Sequence, residues 1–280
     1  METIEIKGKI TCLSPIRHGD TNFAGSADFR KIEMITLDGI REIPYVDGNA
    51  IRGVLRRIIS KDFFDRVGYH PQKTRLYHFF YAGGAMEPVK SKDEGKIDLH
   101  FLRDVRNLLP PISLLGSAFL NQTPPGKFKV MNALPICQEL VGLSVPEEEV
   151  VGPIYPVDQL LSTTFMTRKN DKPDLEDNIT GTQQAIIDYV VLIPGTVLYH
   201  SFFLEDLTEV EKAMFRHALD LWKAKPFLGG KSASGSGQVR LDYRGLDDLP
   251  SPQIYFDMVE QNRSDILSLL KRLDVVTGVK

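Results

Sequence analysis

Residues 48–60 read Gly-Asn-Ala-Ile-Arg-Gly-Val-Leu-Arg-Arg-Ile-Ile-Ser. Ile51, Val54, Leu55, Ile58 and Ile59 recur at the spacing of one apolar helical face. Asp47 or Asn49 is placed to cap the start of that helix. Upstream, residues 4–13 (IEIKGKITCL) set Ile4, Ile6, Ile10 and Cys12 on one parity, the alternation of a half-buried strand. Between them a loop carries Pro15, Gly19 and Gly25 to about Asp28, and residues 31–37 suit a short strand turned by Asp38-Gly39.

Downstream, residues 71–109 read as helical pieces broken at Gly83-Gly84 and by the polar stretch 87–96. Leu99, Leu102, Val105, Leu108 and Leu109 share a face, and Pro110-Pro111 stop that helix. Residues 127–136 suit a strand, and residues 183–193 and 196–205 suit a hairpin turned at Pro194-Gly195. Thr208 and Glu211 form a capping-box pattern opening a helix to about Lys223. A strand at 238–243 follows, and Ser251-Pro252 opens a last helix. The order strand, helix, strand, strand, helix, strand predicts an α+β chain with a ferredoxin-like, RNA-recognition-motif-like antiparallel sheet covered by helices on one face. Residues 157–182 interrupt that order as a long polar segment holding Leu160, Leu161, Phe165 and Met166. A structureless stretch of that length inside a compact domain is usually functional or mobile.

The chain has 280 residues, 42% hydrophobic and 25% charged, enough for a large core without staples. Cys12 and Cys137 are its only cysteines, which excludes a disulfide framework and a cysteine-rich zinc site. The six histidines (18, 70, 78, 100, 200 and 217) show no metal-ligand spacing, and no cofactor is expected. Glu2, Glu5, Lys7 and Lys9 are unlike a secretory leader, and no apolar run reaches the ~18 residues of a membrane helix, so a cytoplasmic location without membrane contact is expected. Net charge is −3, but residues 52–66 hold five basic and two acidic side chains. An acidic protein with a local basic surface is still a candidate for a polyanion. Arg52 and Arg56, four apart, share a helix surface beside the apolar face; solvation there competes with a binding role.

Residues 227–241 (FLGGKSASGSGQVRL) are the most unusual segment. Gly229, Gly230, Gly235 and Gly237 let backbone N–H groups approach a phosphate, and Lys231 adds charge. A nucleoside-triphosphate P-loop is excluded, because its first glycine falls at Lys225 and a helix precedes the loop. Asp20 and Asp28 lie in the glycine-containing loop after the first strand, where a turn role competes with cation binding.

The segments SPIRHGDTNFAG (14–25), IPYVDGNAIRGVLRRII (43–59), LLPPISLLGSAF (108–119) and FLGGKSASGSGQVRL together resemble the RAMP superfamily of CRISPR-associated proteins. They are most similar to its Cas-seven backbone subunits, and to the type-four branch among these. The resemblance implies a modified RNA-recognition palm over residues 1–250, with inserted helical fingers at about 62–125 and a thumb hairpin at about 157–182. Residues 251–280 form a C-terminal helix outside the resemblance. It further implies that copies of the chain line up along one CRISPR RNA, with other effector-complex subunits and a complementary target nucleic acid as partners. Arg17, His18, Asn49, Arg52 and Arg56 would then lie along the guide. Gly229, Gly230, Lys231, Ser232 and Ser234 would contact its phosphates, Phe165 and Met166 would wedge into it, and Arg168 and Lys169 would accompany the wedge. The helix start at Gly48-Asn49 would add free N–H groups. On this reading the subunit binds without catalysis. One alternative is a type-three-like subunit cutting target RNA with Asp28 or Asp20 and a metal ion. Another is a purely structural ferredoxin-like assembly protein.

Overall fold

The computed structural model describes residues 2–19, 28–86, 98–168 and 185–275. The alternating segment forms β1 (Thr3–Cys12), with Ile6, Ile10 and Cys12 buried. A two-stranded hairpin follows, β2 (Lys31–Thr36) and β3 (Gly39–Pro44). Helix α1 (Gly48–Val67) runs past Ser60, because Phe63, Phe64 and Val67 continue the buried row begun by Ile51, Leu55 and Ile59. Gly68, left-handed at φ 73°, ends it.

The inserted region comprises α2 (Thr74–Tyr81), β4 (Gly84–Met86), α3 (Leu99–Leu108), α4 (Pro110–Leu115) and β5 (Ala118–Leu120). The Pro110-Pro111 pair both stops α3 and opens α4, where missing N–H groups cost nothing. The expected strand at 127–136 is split into β6 (Phe128–Val130) and β7 (Leu134–Pro135). Between them the chain departs from the ladder so that Asn132 Oδ1 accepts from the Gly48 N–H at 2.9 Å.

Strands β8 (Leu161–Arg168) and β9 (Ala185–Leu192) pair antiparallel over eight residues, from Leu161–Leu192 to Arg168–Ala185. The expected hairpin of 183–193 with 196–205 is therefore corrected. Strand β10 (Val197–Glu205) pairs instead with β1 over nine positions, and the nine-residue ladder outweighs the local turn signal at Pro194-Gly195. Helix α5 (Glu209–Ala224), β11 (Val239–Tyr243), α6 (Gln253–Gln261) and α7 (Arg263–Val275) complete the chain. The single expected last helix is thus two, separated at Asn262.

The main sheet runs β11-β1-β10-β6, with β7 also paired to β10, and each of these pairs is antiparallel. Counting only the strands of the palm, this is the 4-1-3-2 order that a β-α-β-β-α-β chain produces. The fold is the expected ferredoxin-like palm. Helices α1 and α5 cover one face, where Phe215 meets Phe202 at 5.2 Å and Phe128 at 6.0 Å between ring centroids. Each such ring contributes roughly 1.5–3 kcal/mol by burial.

The capping box at Thr208 is complete and reaches into the core. Buried Glu211 accepts from Thr208 N–H, Lys127 Nζ at 2.7 Å and Ser113 Oγ. Burial alone would raise its pKa, but Lys127 and the hydrogen bonds hold it below the ordinary value. Asp274 of α7 accepts from Tyr69 Oη, Gln72 N–H and Lys73 N–H at 2.7–2.9 Å, so the C-terminal helix is pinned to the loop after α1. No helix among the described residues is long and apolar enough to cross a membrane.

Candidate nucleic-acid interface

Four segments distant in sequence meet around a cleft of about 410 Å³. They are residues 17–19 after β1, the first turns of α1, Tyr189 of β9, and the glycine-rich loop at 229–231. The segment after β1 is held on two sides. Ile16 and Leu192 exchange both backbone hydrogen bonds at 3.0 Å, which ties it to β9. Gly237 N–H donates to the Pro15 carbonyl at 2.9 Å and Gly230 N–H to the Arg17 carbonyl at 3.0 Å, which ties it to the glycine-rich loop. Gly229 is required there. Its φ is +84°, and a Cβ would stand 2.5 Å from the Arg17 carbonyl oxygen. Lys231 adopts the left-handed conformation at φ 63° and is exposed, as are Ser232 and Ser234 in the 3-10 turn beyond it.

Arg17 is the most informative side chain. Its Cζ lies 4.1 Å from the Tyr189 ring centroid, and its Nε and Nη1 are buried without a hydrogen-bond partner among the described residues. Leaving buried guanidinium donors unpaired is costly. Arg57, exposed, and Lys231 share the cleft with it, and neither forms an ion pair among the described residues. No acid lines the cleft among the described residues. Cations converging without acids in a concave site suit a phosphate-bearing ligand.

His18 is placed differently. Its Nε2 accepts from the Asp47 N–H at 3.0 Å and its ring stands edge-on to Phe29, so it props the start of α1 at the cleft's wall. Asn49 is exposed at the cleft. The expectation of free N–H groups at the helix start is corrected. Gly48 N–H is taken by Asn132 and Asn49 N–H by Asp47 Oδ1, while Ala50 and Ile51 donate to the Asp47 carbonyl. Asp47 itself pairs with Arg30 at 2.5 Å. A carboxylate cap already satisfies that helix dipole.

Arg52 and Arg56, expected along the guide, are engaged by carbonyls of the chain itself. Arg56 is only 8% exposed and donates to the Leu115 and Gly116 carbonyls at 3.1 and 2.9 Å. Arg52 donates to the Leu115 and Phe128 carbonyls and lies over the Phe128 ring. Both guanidinium groups therefore meet the Leu115 carbonyl at the end of α4, which that short helix leaves without a partner. Burial lowers both pKa values, that of Arg56 to about 10, with the Arg52 charge adding to the effect.

Arg57 and Tyr189 were not singled out by the sequence reading. Asn49, Gly53 and Arg57 form one i, i+4, i+8 row along α1, with a glycine in the middle where another chain could approach closely. That row was the available signal for Arg57; Tyr189 sits in an apolar strand with none.

On β8, Phe165 is 72% exposed and stands opposite Asp188. The backbones of Met166 and Arg168 lie in the same strand; their side chains, and Lys169, are outside the described residues. Asp28 accepts from its neighbour Phe29 N–H at 2.7 Å and lies 3.8 Å from Lys31. Asp20 is outside the described residues. No group of three or more His, Cys, Asp or Glu that could hold a metal occurs among the described residues.

A larger cavity, about 610 Å³, opens on the uncovered face of the palm. Its charges are mixed: Lys9 pairs with Glu149 at 3.2 Å, and Arg240 shares the wall with Asp242. It is electrostatically a poorer site for a polyanion than the smaller cleft.

The structure is thus an α+β ferredoxin-like palm with a cleft lined by Arg17, Arg57 and Lys231. The chain belongs to the RAMP superfamily, whose family model matches residues 9–240. Among solved structures it is similar to a chain of a "Type IV-B CRISPR Complex", with a TM-score of 0.65 and 24% identity over 86% of this chain and 91% of that one. No curated protein matches the chain.

Proposed function

We propose that this protein is a guide-binding backbone subunit of a class 1 CRISPR effector complex. It holds the CRISPR RNA by its backbone, lines up with copies of itself along that RNA, and performs no catalysis. Other effector-complex subunits and the complementary target nucleic acid join the same assembly, in the cytoplasm. The observation that carries the reading is the cleft of Arg17, Arg57 and Lys231, lined by no acid among the described residues, in a RAMP-superfamily palm. Sequence-blind holding of a guide requires phosphate contacts, while base pairing reads the target. The likeness to a chain from a CRISPR complex supports the assembly part of the proposal. The β8–β9 hairpin, with Phe165 exposed, supplies a thumb whose apolar side chain wedges between guide bases. A net charge of −3 leaves one subunit weakly attractive to RNA, and binding in a row offsets this by avidity.

The test is the absorbance ratio and extracted nucleic acid of the purified protein, expressed with a CRISPR array. Recovery of RNA of discrete length from a multi-copy species supports the proposal. A nucleic-acid-free monomer that does not bind added single-stranded RNA overturns it and restores the structural-protein alternative.

A further inference from the structure

Cation–π contacts divide the work of a guanidinium between its face and its edges. Arg17 rests its face on Tyr189, with Cζ 4.1 Å from the ring centroid. Its Nε and Nη1 are buried and have no hydrogen-bond partner among the described residues, while the side chain as a whole is half-buried and lines the cleft. A stacked guanidinium keeps its in-plane N–H donors at fixed directions, so the part of the group that faces the cleft is held ready for a phosphate oxygen. The backbone of Arg17 is also fixed, since its carbonyl accepts from Gly230 N–H and its neighbour Ile16 is bridged to Leu192. Tyr189 lies three residues before Leu192 on the same strand, so the ring and the arginine are built into one anchored unit.

We infer that Tyr189 is a positioning residue that holds the Arg17 guanidinium in the cleft for a single backbone phosphate. The inference rests on the reading of the cleft as the nucleic-acid site. It assigns Tyr189 the role of a packing platform for Arg17 rather than that of a base-stacking ring. It also makes the root of the β8–β9 hairpin part of the phosphate site, so that the hairpin and the cleft recognise the RNA as one surface.

A double-mutant cycle with a single-stranded RNA oligonucleotide tests this, with affinity measured across salt concentrations. Arg17→Gln should bind about tenfold more weakly and lower the log–log salt slope by about 0.7, one single-strand phosphate contact. Tyr189→Leu should reproduce both changes although it removes no charge, and the double variant should be no weaker than either single one. Tyr189→Phe keeps the ring and should bind like the wild type. Additive losses, or a Tyr189→Leu variant that loses affinity with an unchanged slope, would make Tyr189 a direct RNA contact and overturn the inference. Tyr189→Met is a second ring-less variant of similar volume. If both ring-less variants melt early yet bind with the wild-type slope, the pair serves packing alone and the inference is wrong. A wild type whose binding has no salt dependence refutes the parent reading instead, and is distinguishable from all of these.

Discussion

The Arg56 guanidinium donates to the Gly116 carbonyl at 2.9 Å, across 60 residues of sequence. With Arg52 it ties α1 to the end of α4, and so fixes the inserted helices to the palm. Replacing Arg56 by methionine keeps the stem but removes the donors. Stability should fall by about 2 kcal/mol, the cost of leaving buried carbonyls short of a partner. That corresponds to roughly 4–8 °C in melting temperature. The RNA affinity of the folded protein should stay within about twofold of wild type. A variant that melts normally and loses RNA would return Arg56 to the binding surface.

Phe165 is exposed on β8, so Phe165→Ser should change stability by less than about 0.5 kcal/mol. The same change should make RNA-bound assemblies irregular in spacing, seen by electron microscopy or by nuclease footprinting at uneven intervals. Normal, evenly spaced assemblies would remove Phe165 from the wedge.

His200 predicts a pH dependence. Its ring is buried beside Phe202 and paired with Tyr243 Oη at 2.8 Å, and burial pushes its pKa down to about 3. The unfolded chain takes up a proton below about pH 6.5 and the folded one does not. Stability therefore falls as pH drops from 6.5 towards 3, by about 2 kcal/mol at pH 5 from this group. Denaturant titrations of wild type and His200→Asn at pH 7 and pH 5 should differ in their pH loss by that amount. Equal losses in both proteins would show that His200 does not carry the effect.

Asp28 is engaged with the Phe29 amide and near Lys31, and metal-assisted cleavage needs an ion held beside an activated nucleophile. Assemblies with guide and matching target RNA should yield no regularly spaced products in Mg²⁺ or Mn²⁺. Products that vanish in Asp28→Ala or Asp20→Ala, with binding intact, would install the cleaving alternative.

What the sequence made legible was local. The apolar row of α1, the capping box at Thr208 and Glu211, and the alternation of β1 each have a period or a cap that needs no distant partner. Their order gave the palm, since β-α-β-β-α-β constrains the strand order. The failures were non-local. The turn at Pro194-Gly195 is real, yet β10 is claimed by β1 from nearly two hundred residues upstream. Arg52 and Arg56 do share a helix face, but the carbonyls that turn them inward belong to α4. Spacing says which side chains are neighbours and not what meets them. The glycine-rich loop did reach the cleft, because Gly229 is needed for the close approach to Arg17. Arg57 was hidden beside Arg56, one position away and on another row of the helix.

The central claim is that the cleft of Arg17, Arg57 and Lys231 holds the phosphate backbone of single-stranded RNA. The most direct measurement is the salt dependence of RNA binding by wild type and by the Arg17→Gln, Arg57→Gln, Lys231→Gln triple variant, with melting temperatures recorded for both. The account predicts a slope smaller by about 2 in magnitude, at roughly 0.7 per contact, and little change in melting temperature. An unchanged slope and affinity in a folded triple variant would contradict it.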